Sequence, residues 1–351
     1  MFKDLKVLEL SSVLAGPAVG MFFSELGASV LKVENKLTGG DVTRNWKLPI
    51  EKENELSAYF SSVNYKKTHI FLDFNSKIDR KELDQLIKSC DIIITNFKSG
   101  DEKKFKLDFK SCKKINDHII YAQITGFKSN TKRVAYDIIL QAETGYISMT
   151  GNNKEYAKMP VAFIDVLAAH QIKEGILTAL ILQNQEKKPY KVSTTLEETA
   201  IASLMNQSSN YLMANHQSKP MGTLHPNIAP YGEIVTTIDN KELILAIGTD
   251  HQFENFSKII SLDISIVKKF KTNSKRVKKR IELISALKEK IENISSQYLL
   301  SSCLKKNIPI GEINSIKEVL ESKLAKEMVL KEKINDHLTK RIKTVAFNLT
   351  S

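Results

Sequence analysis

The sequence predicts an α/β fold: a large domain built on a parallel sheet with helices on both faces, then a smaller α+β domain. Three observations carry this. Short β-branched runs alternate with helical segments through the first half of the chain, the pattern of a doubly wound sheet. The length of 351 residues exceeds what one ordinary hydrophobic core organises, so two domains are expected. A Gly- and Pro-containing stretch at 220–232 separates long helical segments from a hairpin signal, and such punctuation marks a boundary. Residues 1–219 are therefore read as a Rossmann-like domain, 220–325 as the smaller domain and 326–351 as a short C-terminal segment.

Lys6-Val7-Leu8-Glu9-Leu10 reads as a strand. Gly16 and Pro17 mark a turn, an apolar helix runs through Phe22, Phe23 and Leu26, and Gly27 closes it before a second strand at 29–34. A β-α-β unit of this kind requires a right-handed crossover and parallel strands. Further strands are expected at 70–73, 91–95 and 119–125, with a helix over 81–88. Helices follow at 168–182 and, unbroken, at 196–214. A hairpin of 233–237 with 243–247 turns at Asp239-Asn240. Helices at 252–260, 277–294 and 296–306 complete the smaller domain. Ligands of doubly wound sheets bind beyond the carboxyl ends of the strands, here 11–17, 34–44, 96–100 and 125–133.

Composition narrows the function classes. A hydrophobic fraction of 42% excludes a wholly disordered chain. No apolar run reaches the roughly 18–20 residues of a membrane span. The opening MFKDLKVLELSS, with Asp4 and Glu9, is not expected to be a signal peptide. Cys90, Cys112 and Cys303 are too far apart for a disulfide framework and are expected to be buried thiols. These features predict a cytoplasmic protein. The net charge of +12 suggests an acidic partner, yet all but six of the 52 basic residues are Lys, the arginines being 44, 80, 133, 276, 280 and 341. Readers of nucleic acid depend on Arg for bidentate contacts, so neither nucleic acid nor membrane is expected as a partner. Residues 268–280 hold eight basic residues and open an amphipathic helix with Ile281, Ile284, Leu287 and Ile291 on one face, which reads as a solvated surface. The seven histidines show no ligand spacing and no metal is expected. There is no GxGxxG, P-loop, HExxH or GxSxG.

The segment LKVLELSSVLAGPAVGMFFSELGASVLKVENKLTGGDVTR resembles the opening of the class III coenzyme A transferases (CaiB/BaiF type). That family includes formyl-CoA and carnitine-CoA transferases and the 2-methylacyl-CoA racemases. The similarity continues through Tyr59-Phe60 with Asn64 and Lys67, Asn96-Phe97 with Gly100, Ile124-Thr125-Gly126-Phe127 and Tyr136-Asp137 before Gln141-Ala142. Asp165, His225-Pro226 and Ala229-Pro230-Tyr231 follow in order.

This resemblance implies a CoA transferase acting on an acyl-CoA and a carboxylic acid, with CoA as substrate and no prosthetic group. Asp165 matches the family's carboxylate nucleophile. A carboxylate suits the task because its attack on a thioester gives an anhydride, and returning thiolate gives an aspartyl thioester that keeps the thioester's energy. From the residues alone, Asp165 also reads as a cap just before the helix at 168–182. The resemblance lays CoA against Val13, Leu14, Ala15, Asn96, Phe97, Lys104 and Phe105, with Arg44, Lys67, Tyr136 and Asp137 as further contacts. It also implies an interlocked homodimer whose C-terminal segment returns towards the large domain.

Four positions depart from the family pattern. Asn35 stands where Arg is usual, Leu14 where formyl-CoA transferases carry Gln, 128–133 replaces a Gly/Pro-containing stretch, and the tail lacks the family's closing Gly-Glu-His. Tyr136 precedes Asp137 where racemases have His, which favours a transferase, since a racemase needs acid/base groups on both faces of a carbon. The two alternatives are a racemase and a non-catalytic acyl-CoA-binding paralogue.

Overall fold

The computed structural model describes residues 1–129, 133–152, 155–334 and 336–350. Asn130, Thr131 and Lys132 of the 128–133 stretch, and the terminal Ser351, lie outside the described residues. The chain divides into two compact units. One comprises Met1–Ser148, Ala157–Ser218 and Lys323–Ser351; the other comprises Met149–Tyr156 and Lys219–Ser322. The segment Met149–Tyr156, read above as part of the large domain, belongs to the smaller unit, where Gly222 N–H bonds to Gly151 O at 2.6 Å.

The large unit is built on six parallel strands: β1 (Lys6–Leu10), β2 (Ser29–Asn35), β3 (Lys67–Leu72), β4 (Ile92–Thr95), β5 (Ile120–Thr125) and β6 (Tyr190–Thr195). They lie in the order β3-β2-β1-β4-β5-β6. The sequence reading missed β6. Its YKVSTT is short and polar, and as an edge strand it buries little along its length. The helices are α1 (Ala15–Glu25), α2 (Lys77–Ser89), α3 (Asp137–Glu143), α4 (Phe163–Gln183), α5 (Leu196–Ala202) and α6 (Met205–Ala214). The helix expected to run unbroken over 196–214 is thus two helices, parted at Ser203–Leu204 by residues that lead into Met205 at φ 46°.

Alternation along the strands sorts two environments. Leu8, Leu10, Val33, Leu72, Ile93 and Tyr121 pack with Leu83 and Ile87 of α2. Facing the other way, beneath α1, lies a buried ionic network. Glu9 and Lys32 are register partners on β1 and β2. Lys32 Nζ lies 2.9 Å from Glu9 Oε1 and 3.2 Å from Asp41 Oδ2, and Lys67 Nζ lies 2.7 Å from Glu9 Oε2. All four side chains are shielded from solvent. Burial pushes the Glu9 carboxyl up, but the two ammonium groups more than offset this and hold it below its ordinary range. Lys67 is driven down to about 8 by burial, with Lys32 adding and Glu9 opposing.

Gly20 of α1 rests on this network, and a Cβ there would collide with the Glu9 carboxylate. Gly to Ala inside a helix ordinarily gains about 0.5–1 kcal/mol. Gly20→Ala is expected to do the opposite and lower the melting temperature; a rise would show that the carboxylate can move aside.

The C-terminal hairpin, Val329–Ile334 with His337–Ile342, packs within the same unit. Arg341 Nη1 donates to Asn64 O at 3.0 Å, Thr344 N–H to Glu25 Oε1 at 2.8 Å, and Phe347 meets the Phe22 ring.

The smaller unit holds a three-stranded antiparallel sheet of Tyr231–Thr236, Glu242–Ala246 and Ile310–Glu312. Helices including Asp250–Ile259, Arg280–Ile291 and Ser296–Lys305 enclose a core of Leu243, Leu245, Phe253, Phe256, Leu287 and Leu299. The basic run at 268–280 is not wholly a solvated face. Arg276 is fully buried, donating to Ala229 O at 2.7 Å and pairing with Asp250 at 2.7 Å. Ile281, expected on the apolar face, is 88% exposed, and Leu283 takes its place in the core. The three cysteines are free and buried. Among the described residues no helix is long and apolar enough to cross a membrane, and no cluster of His, Cys, Asp or Glu could hold a metal.

Candidate active site

A doubly wound sheet leaves a crevice where successive crossovers leave in opposite directions, here beyond the carboxyl ends of β1 and β4. Asn96, just past β4, ties the two loops together: its Nδ2 donates to Ser12 O at 2.7 Å and its Oδ1 accepts Ser12 N–H at 2.9 Å. The crevice opens into a cavity of about 570 Å³. Three of the four loop segments expected to bind ligand reach it, through Ser12, Asn96 and Thr125 among others. The fourth segment lines a smaller cavity of about 190 Å³ that shares Asn96 and Phe97.

Val13, Leu14, Ala15, Asn96, Phe97, Tyr136 and Asp165 all line the larger cavity. Asp165 lies within the first turn of α4, two residues inside its start, rather than ahead of the helix. The helix begins earlier than its periodicity suggests because its cap comes from elsewhere in the chain. Ala162, at the N-cap, has no side chain to offer, and Asp137 Oδ1 accepts the Ile164 N–H at 2.6 Å. Asp137 is in turn held by Gln141 Nε2. Asp137 therefore does the capping that the sequence assigned to Asp165. It does not line the cavity.

Asp165 is 8% exposed, and among the described residues no hydrogen bond reaches its carboxylate. Burial, and then the neighbouring Asp137 charge, raise its pKa to about 7. Asp137→Asn keeps an oxygen for the Ile164 N–H but removes that charge, so the Asp165 pKa is expected to fall. Carboxyl ¹³C NMR titration reads it directly, and an unmoved midpoint would assign the whole rise to burial. Tyr136 shares the cavity wall with this carboxylate and Tyr59 feels its charge, while Trp46 packs against both rings, with centroids 5.2 Å from Tyr59 and 6.3 Å from Tyr136. Burial, aided by the Asp165, Asp137 and Asp41 charges, lifts the Tyr59 hydroxyl to about 12, so it stays a neutral donor.

Four other expected contacts stand elsewhere. Lys67 is buried against Glu9, Pro17 O and Asn64, with no surface left for a phosphate. Arg44 Nε donates to Glu34 at 2.8 Å and its guanidinium lies 4.0 Å over the Phe60 ring. Both cations are engaged by carboxylates that spacing alone could not reveal. Lys104 is exposed over Phe105, which packs with Phe74 and Phe97. Lys103, one residue earlier, lines the cavity instead. Asn35 caps the turn Lys36–Thr38, its Oδ1 accepting the Leu37 N–H at 3.0 Å.

Among the described residues the cations at the cavity are Lys98, Lys103, Lys128 and Arg133. Arg133 lies 4.4 Å over the Phe127 ring and pairs with Glu143, and Lys128 pairs with Glu198. No single position announced these four in the sequence. Their signal was the placement of 96–100 and 125–133 after strands.

A cavity with a cationic rim, small first-turn residues and one buried, uncompensated carboxylate can bind a phosphorylated acyl carrier and attack it. The model of CoA-transferase family III matches residues 2–351. The succinate–glutarate CoA-transferase of Agrobacterium fabrum is 33% identical over 324 residues, 90% of this chain and 80% of that protein. The succinyl-CoA:glutarate CoA-transferase of Mus musculus is 32% identical over 322 residues, 90% of this chain and 73% of that protein. The crystal structure of a CaiB/BaiF family protein from Brucella suis aligns with a TM-score of 0.84 at 34% identity, covering 99% of this chain and 92% of that one. With this sheet, this cavity and these relatives, the chain belongs to CoA-transferase family III and is a CoA transferase that uses CoA thioesters as substrates.

Proposed function

We propose that the protein moves CoA between an acyl-CoA and a carboxylic acid through covalent intermediates on Asp165. The observation that carries the reading is a buried carboxylate, raised to about 7, on the wall of the switch-point cavity. A desolvated carboxylate is a better nucleophile than a hydrated one. Asp165 attacks the thioester carbonyl, the C–S bond breaks, and CoA thiolate leaves an anhydride. The thiolate then attacks the Asp165 carbonyl and releases the first acid, leaving an aspartyl-CoA thioester. The acceptor carboxylate takes the same two steps in reverse and Asp165 is regenerated. No water or proton is consumed, and the site must stay dry because water would hydrolyse either the anhydride or the aspartyl thioester.

A dicarboxylic acid is the proposed acceptor class. The relatives named above act on succinate and glutarate, and the Lys98, Lys103, Lys128 and Arg133 rim suits a second carboxylate as well as CoA phosphates. A panel of CoA donors against mono- and dicarboxylic acids tests the class. Hydroxylamine added with an acyl-CoA should convert Asp165 to a hydroxamate, located by peptide mass spectrometry. An unmodified Asp165 together with deuterium uptake at the α-carbon of a 2-methylacyl-CoA would replace this reading with the racemase. The C-terminal hairpin held by Arg341 supports the family's interlocked homodimer as the assembly; light scattering giving the monomer mass would refute it. A cytoplasmic location completes the reading.

A further inference from the structure

The loop from β1 into α1 contains a backbone conformation that its residue resists. Val13 sits at φ 70°, a left-handed setting that a β-branched side chain enters only when its surroundings impose it. The imposing group is Asp41. Both of its carboxylate oxygens accept the Val13 N–H at 3.2 Å. Asp41 cannot swing away, because Thr43 donates to it through N–H at 3.1 Å and Oγ1 at 2.8 Å, and Lys32 Nζ lies 3.2 Å off. Lys32 is itself anchored on Glu9. Asp41 is 3% exposed, so none of this rests on a mobile surface.

The left-handed residue turns the chain abruptly from the strand into the helix. Among the described residues no acceptor takes the N–H of Leu14 or Ala15, and the first turn of a helix leaves such donors open at its N-terminal end. Val13, Leu14 and Ala15 line the same cavity as Asp165.

We propose that Asp41 is a positioning residue for CoA transfer: it holds Val13 left-handed, and so presents the Leu14 and Ala15 N–H groups to the oxygen that turns anionic when Asp165 attacks the thioester. The proposal rests on Asp165 as nucleophile. Preorganised backbone donors of this kind act on the transition state more than on the bound thioester. A glycine at position 13 would adopt the same φ without a clamp. Val13 keeps a side chain against the cavity, and the clamp is what that requires.

The test is a rescue. Asp41→Ala should lower kcat by about 100-fold, with a much smaller rise in KM for acyl-CoA. Adding Val13→Gly to that variant should restore at least about tenfold of the lost kcat. A merely structural role for Asp41 would not be repaired by a glycine at 13. The proposal falls if the double variant is no faster than Asp41→Ala, or if Asp41→Ala keeps the wild-type kcat. Should Asp41→Ala fail to fold, Asp41→Asn keeps one acceptor oxygen; a partial kcat loss that Val13→Gly repairs supports the clamp, and a loss it leaves untouched refutes it. Asp165→Ala runs alongside: retained transfer there would sink the nucleophile reading, while the rescue still scores the clamp separately.

Discussion

Asp165→Ala is expected to abolish CoA transfer, lowering kcat by roughly 10⁴-fold or more, as removal of a covalent nucleophile does. The same position should show the reverse effect on stability. The Asp165 carboxyl titrates at about 7 in the folded chain against an ordinary value of 3.8, chiefly because it is buried and secondarily because of Asp137. A raised carboxyl pKa means that the folded state holds the proton more tightly than the unfolded one. The cost of ionising it therefore begins near pH 3.8, grows to pH 7 and is complete above that. That rise corresponds to ~4 kcal/mol at most. Asp165→Asn should thus be inactive and more stable than the wild type at pH 8, with the gain shrinking towards pH 4. Thermal melts across this range check it. Equal melting temperatures at pH 8 would mean that the α4 N-terminus already compensates the charge.

Glu9→Gln is expected to be the most damaging single change to the fold, costing roughly 3–5 kcal/mol. One carboxylate holds two ammonium groups, Lys32 at 2.9 Å and Lys67 at 2.7 Å, with no solvent access for any of the three. Neutralising it leaves two buried cations with Asp41 at 3.2 Å from Lys32, and Glu34 farther off, to answer them. The penalty should shrink as pH rises through about 8, where Lys67 loses its proton in the wild type too. Adding Lys67→Met should recover part of the loss, because a neutral chain of similar length needs no partner. Urea unfolding followed through the large unit gives both numbers. A Glu9→Gln shift below about 1 kcal/mol would show that water reaches the site.

The parts of the molecule legible in the sequence were those governed by local pattern. Five of the six parallel strands follow from β-branched runs bounded by turn residues, and the crevice follows from the rule that ligands sit beyond their carboxyl ends. The loops carrying Val13, Asn96 and Thr125 are therefore identifiable from the sequence. The edge strand Tyr190–Thr195 was not, since a half-exposed polar strand carries little periodic signal. The start of α4 was misplaced for a related reason. Helix ends are set by caps, and this cap, Asp137, comes from 27 residues away from the N–H it accepts.

The sequence by itself determined the alternation of elements, the parallel sheet and the loops at its carboxyl edge, because backbone sterics and hydrophobic period act between near neighbours. It also singled out Asp165 as a residue of interest. Only the tertiary structure decided which charges are available for chemistry. Arg44 and Lys67 look like any cation on a lysine-rich chain until Glu34 and Glu9 are found against them. Asp165 has an ordinary carboxyl in the sequence, and it becomes a desolvated one near 7 through burial and a neighbour 28 positions earlier. Charge and pKa depend on distance and dielectric between residues far apart in the chain, and the fold alone sets both.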